Sequence, residues 1–147
     1  MEKSNVLSIG LTSNERPEVI DDLRNGQGTI LYNHNIKEVP VVTDDEGNVS
    51  EADDPKKATG TIFVYDSLRV EYPKTRKNIY ATLLEARYPQ DVQQKLLNDY
   101  QAVQMEILED DEADAAIVAY RAFLNDRKAI KAMVTEDCAN HNIPNDL

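Results

Sequence analysis

The chain has 147 residues, a formal net charge of −11, 41% hydrophobic and 6% aromatic residues, and no tryptophan. Such a length suits one domain, or one with an appendage, and buries roughly 70% of its unfolded surface, enough for a modest core of Leu, Ile and Val. The acidity argues against direct binding to nucleic-acid phosphates or an anionic membrane, both of which need a basic face.

The start of the chain, MEKSNVLSIGL, lacks the long apolar stretch and small-residue cleavage site of a signal peptide, so none is expected. Leu7, Ile9 and Leu11 alternate with Ser8, Gly10 and Thr12, which predicts a short strand. Asn14 suits the cap of a short helix with Val19, Ile20 and Leu23 on one face, and Pro17 fits its first turn. Gly26 and Gly28 look like a fragment of a dinucleotide loop, but the third glycine is missing and a strand follows, not a helix. A helix stop and a turn are expected there.

Residues 29–43 read as strand, with Ile30, Tyr32, His34 and Ile36 alternating with Leu31, Asn33 and Asn35. Pro40 points to an edge or a bulge. Residues 44–58 read as a long, mobile, acidic connection between antiparallel strands. Asp44, Glu46, Gly47, Asn48 and Asp53 echo an EF-hand loop, but Val42 stands where the first carboxylate belongs and Asp53 replaces the final Glu. A solvated turn is the plain expectation.

The stretch from Ile62 to Tyr88 joins the two halves. Ile62, Val64, Leu68, Val70 and Tyr72 form one side of a strand, with Asp66 the exception; Phe63, Tyr65, Ser67, Arg69 and Glu71 form the other. Pro73 ends it. Thr75 suits the cap of a helix striped by Ile79, Leu83 and Ala86. The nearby Lys74, Arg76 and Lys77 read as a solvated first turn. After Tyr88-Pro89, Asp91 and Gln94 are placed for a capping box. Val92, Leu96, Tyr100, Val103 and Ile107 then make the clearest amphipathic helix in the chain. The acidic run holds no proline or glycine, which leaves a continuous helix open, but a turn near Asp110 is favoured, because clustered carboxylates suit a helix start. The last helix runs from about Ala113 to Thr135, with Ile117, Tyr120, Phe123 or Leu124, Ile130 and Met133 or Val134 on one face and Arg127 interrupting it. Residues 137–147 read as a flexible tail.

Six acids fall in residues 44–54 and five in 109–114, and the other 16 of the 27 balance the 16 Lys and Arg. The acidity is therefore local. The single cysteine, Cys138, allows no internal disulfide. Cys138 and His141 have a Cys-x-x-His spacing, but with His34 they fall short of a closed zinc set, so no metal is expected. No nucleophile elbow or phosphate loop is present, and no catalytic or cofactor-binding residue is assigned. No run reaches the ~20 apolar residues of a membrane helix. Tyrosine adds contact area with a polar tip, so Tyr80, Tyr88, Tyr100 and Tyr120 are the candidate interaction residues, against the plainer reading that they fill a small core.

The expectation is an α+β chain. About three antiparallel strands fill residues 1–72, and a three-helix segment, 73–136, packs on the sheet within the same domain. Tyr32-Asn33-His34-Asn35-Ile36, Tyr65-Asp66-Ser67-Leu68-Arg69-Val70, the segment from Pro73 to Tyr88 followed by Asp91, and Tyr120-Arg121-Ala122-Phe123-Leu124 resemble small uncharacterised proteins of bacteriophages and prophages, encoded near tail and other late structural genes. The resemblance spans roughly residues 29–135 and carries over no functional residue. It implies a non-enzymatic structural or assembly role through protein–protein contacts, with itself or other phage structural proteins. It also implies a place in the bacterial cytoplasm or the virion. The alternative is an acidic regulatory or anti-host protein, a nucleic-acid decoy, which rests on the charge alone. A small enzyme ranks third.

Overall fold

The structure is a computed structural model and describes residues 6–145. Its fold class is α+β, an antiparallel sheet followed by three helices, with five strands where the sequence suggests about three. The chain divides into two compact units, residues 1–72 and 73–147.

The first unit is the sheet. Its strands are β1 (Leu7–Ser13), β2 (Ile20–Asp22), β3 (Ile30–Thr43), β4 (Val49–Glu51) and β5 (Gly60–Val70). The spatial order is β1-β5-β3-β2, and β4 also pairs with β3. Ile30 lies opposite Val70 and Tyr32 opposite Leu68. These four form an apolar patch on one face and are all buried. His34 is buried too, stacked on the Tyr32 ring at 4.8 Å with its Nδ1 3.0 Å from the Tyr32 carbonyl.

Two bulges explain the strands' broken alternation. Opposite β5, the register of β1 shifts between Ser8 and Leu11, and that of β3 between His34 and Lys37. Each bulge holds a left-handed residue, Gly10 (φ 72°) and Asn35 (φ 51°). Glycine and asparagine tolerate that conformation best. The Asp66 carboxylate joins them: Oδ1 accepts from the Gly10 amide at 3.1 Å, and Oδ2 from Asn35 Nδ2 at 2.9 Å. The one polar interruption of the β5 ladder is thus the link between both bulges. Leu7, Ile9 and Leu11 therefore do not share a face as expected: Leu7 pairs with Leu68, Leu11 with Tyr65, and Ile9 is exposed.

Three further expectations change. Residues 14–23 hold the strand β2, not a helix, because Ile20, Asp21 and Asp22 pair with Tyr32, Leu31 and Ile30. The free edge of β3 outweighs a weak helical stripe in which two of three residues, Val19 and Ile20, are β-branched. Gly26 and Gly28 consequently stop no helix, but both turn the chain at positive φ. At Gly28 a Cβ would lie 3.0 Å from the Tyr72 ring, so the glycine also serves close approach. Residues 44–58 carry β4 and a 3-10 turn at Pro55–Lys57. Pro40 sits where the β4 ladder ends, its carbonyl accepting from Ala52, so its missing N–H falls at a position with little to lose.

The second unit contains α1 (Arg76–Arg87), α2 (Gln90–Gln104) and α3 (Asp110–Asn140). Thr75 caps α1 as expected, its hydroxyl accepting from the Asn78 amide at 3.2 Å. The capping box of α2 does not form. Pro89 occupies the cap position with no side-chain bond, and Gln94 turns to Asn98. Helix α3 packs against both α1 and α2. It buries Phe123, Ile130, Val134 and Cys138 along one stripe. Arg127 interrupts that stripe and lies 5.7 Å from the Phe123 ring centroid, a cation–π contact.

The segment after α3, expected to be a loose tail, is tied down through Asn145. Ile143 is buried and its amide donates to the Cys138 carbonyl. The carbonyls of Pro144 and Asn145 accept from the Arg76 and Lys77 amides, two of the four donors that open α1. Among the described residues, no helix is long and apolar enough to cross a membrane.

Candidate functional site

The helical unit carries the surface on which the proposed function rests. α2 has the cleanest apolar stripe in the sequence, yet none of its residues is buried. Val92 at its start is 41% exposed and Ile107, just past its end, 68%. The turn between α2 and α3 also presents Met105, 71% exposed, and Val118 on α3 is 65% exposed. Asp110, Asp111 and Glu112 form the first turn of α3, where the helix dipole favours negative charge. Asp114 lies one turn before Val118 on the same helix face. The exposed Met105 and Ile107 thus lie in the α2–α3 turn directly before the carboxylates that open α3.

Of the candidate tyrosines, three form an aromatic ladder with Phe123. Tyr100 and Tyr120 stack at 4.7 Å, Tyr120 and Phe123 lie 6.3 Å apart, and Tyr88 meets Phe123 edge-on at 4.9 Å. Tyr88 also donates from its hydroxyl to Asp126 at 2.7 Å. Burial and that carboxylate push its phenol above the usual pKa. Tyr88 is therefore engaged within the unit. Tyr100 and Tyr120 line an open depression of about 350 Å³ with Ile117, Arg121 and Leu124. Tyr80 stands apart, in a second depression with Arg76, Lys77 and Lys131.

In the sheet unit, an open polar cleft of about 410 Å³ lies against the face that carries Leu31, Asn33, Tyr65 and Ser67. The strap between β1 and β2 contributes Glu15, Arg16 and Glu18, and β2 contributes Asp21. Asn33 holds the strap twice: its backbone amide donates to the Val19 carbonyl at 2.8 Å, and Nδ2 to the Glu18 carbonyl at 2.7 Å. Asn33 is 4% exposed, and its Oδ1 has no hydrogen-bond partner among the described residues. A buried amide oxygen without a donor is unfavourable and uncommon. The sequence marks Asn33 only as an outward-facing strand residue. No local pattern announces that a strap lies over it.

The acidic turn at Asp44 is built on backbone bonds. Asp44 Oδ1 accepts from the amides of Glu46 and Asn48 at 2.9 and 2.8 Å, with Gly47 left-handed at φ 86°. Those bonds, that from Asn48 first, hold its carboxyl below the usual range. Cys138 is buried, whereas His141 ends α3 and is exposed. Among the described residues, no group of three or more His, Cys, Asp or Glu side chains is arranged to hold a metal ion.

Compared with known proteins, the chain matches no family model, and no curated protein or solved structure is significantly similar to it.

Proposed function

We propose that this chain is a non-enzymatic structural or assembly protein of a phage or prophage that works by docking another protein on its α2–α3 end. The observation that carries the reading is the pairing of uncovered aliphatic side chains (Met105, Ile107, Val118) with the carboxylates of residues 109–114. Burying such aliphatic area drives association, at roughly 25 cal/mol per Å². The acids select the partner: a segment with Lys or Arg beside its own apolar residues. A second copy of this chain would bring the same negative charge to the same face, so it is the less favoured occupant. The sequence resemblance supplies the phage setting. On that reading the protein works in the host cytoplasm during assembly or in the particle.

The test is co-expression with the products of neighbouring late genes, followed by light scattering and affinity measurement. A basic late-gene product should bind, and Met105→Ser with Ile107→Ser should weaken it at least tenfold, the effect of losing roughly 1.4 kcal/mol. Both side chains are exposed, so the fold should survive. A strictly monomeric protein that captures none of those products would end the proposal.

A further inference from the structure

We propose that Asn25 is a site of spontaneous deamidation, and that its conversion releases the loop between β2 and β3 from the end of β5. Asn25 and Gly26 form the only Asn-Gly pair in the chain. Both are exposed, and Gly26 (φ 78°) has open space where a Cβ would stand, so no side chain of its own shields its backbone nitrogen. In such a pair that nitrogen attacks the Asn side-chain Cγ and gives its proton to a solvent base. The Cγ–Nδ2 bond then breaks, and ammonia leaves with a proton from water. Water opens the resulting five-membered imide. Opening at Cγ leaves an aspartate. Opening at the Asn25 backbone carbonyl leaves an isoaspartate, with the backbone one methylene longer. The Gln27 amide donates to Asn25 Oδ1 at 3.0 Å, which places a donor on the oxygen that becomes negative during the attack.

The loop's hydrogen bonds define what the reaction removes. Asn25 Nδ2 donates to Thr29 Oγ1 at 3.0 Å, Thr29 donates to Glu71 Oε2 at 2.8 Å, and Arg69 Nε donates to Glu71 Oε1 at 2.7 Å. Arg69 first, then Thr29, hold the Glu71 carboxyl below its usual range, so it acts as an acceptor. The single Thr29 hydroxyl proton is therefore committed to Glu71, and the buried hydroxyl takes its own donor from Asn25. A carboxylate at position 25 has no N–H to give. It would face an oxygen whose proton points elsewhere and whose other neighbour is the Glu71 carboxylate. The latch opens, and an isoaspartate also lengthens the loop that the Leu23 amide closes on the Thr29 carbonyl at 3.2 Å.

This site lies in the sheet unit and is independent of the docking surface, so either proposal can fail without the other. The experiment incubates the folded full chain in warm, mildly alkaline buffer and follows each asparagine by peptide mass spectrometry, with isoaspartate read by its enzymatic methylation. Asn25 should convert first, to a mixture of aspartate and isoaspartate, with ammonia released in equal amount. Hydrogen exchange on the same samples reads the latch. The Leu23 amide should exchange about tenfold faster after conversion, the worth of one hydrogen bond. Asn25→Asp carries the product charge without the longer backbone and should show faster exchange from the start. Asn25→Gln keeps an amide donor and cyclises far more slowly, so it should stay unmodified and exchange as fresh protein does. Both replace an exposed side chain, so the fold should survive. An Asn25 that persists while other asparagines convert, or a converted protein whose Leu23 amide exchanges as before, would overturn the proposal. Equal loosening in incubated Asn25→Gln would assign the change to another site and overturn it as well.

Discussion

Asp66 shows how one side chain organises a sheet. The bulges in β1 and β3 flank the same position of β5, and its carboxylate bonds to a group in each. Asp66→Ala removes both bonds at once. We expect it to lower unfolding free energy by about 1–2 kcal/mol in a urea titration, with faster hydrogen exchange at Gly10. Cys138 offers a test by pH. Burial, with a smaller contribution from Asp137 and partial relief from Arg76, pushes its thiol from 9.0 up to about 11. Below pH 9 the thiol is neutral in both states and its contribution is full. Between the two values the unfolded chain ionises first, so stability falls as pH rises. Cys138→Ala should lack that component, so the wild-type protein's advantage over it in urea midpoint should shrink from pH 9 to 11.

At the scale of elements, the helical unit closes on itself through its own C-terminal segment. The first amides of α1 are capped on one side by Thr75 and on the other by the carbonyls of Pro144 and Asn145. Ile143 anchors that segment by burial. Ile143→Ala should destabilise the protein by about 2 kcal/mol or more in thermal unfolding. The amides of Arg76 and Lys77 should exchange faster than those in the middle of α3; unchanged protection there would mean the capping bonds do not depend on the anchor. α2 teaches the converse. Its stripe at spacings of three and four states that a helix forms, but not that its partner covers only part of the stripe.

For the molecule as a whole, the charge of −11 comes from two short runs, and each has a distinct structural position. The first run opens at the Asp44 turn and continues through β4 to the 3-10 turn. The second starts α3 beside uncovered aliphatic residues. Only the second meets the chemistry of a docking surface. Its partner's association rate should therefore fall steeply with salt, because screening shortens the reach of charge to about 8 Å at physiological ionic strength. Stopped-flow rates in 20–500 mM salt would measure this, and a flat dependence would remove the acids from the account.

The α+β order, the break at Pro73, the Thr75 cap and the turn before α3 were legible in the sequence because each is local. A proline, a hydroxyl at a helix start and a run of like charges act on neighbouring residues whatever the rest of the chain does. The strap over Asn33, the strand at Ile20–Asp22, the two bulges and the tied C-terminal segment were not. Each depends on a partner far along the chain: Asn33 for the strap, Asp66 for the bulges, Arg76 and Lys77 for the tail. Periodicity records which way a residue faces. Only the tertiary structure decides what, if anything, covers it.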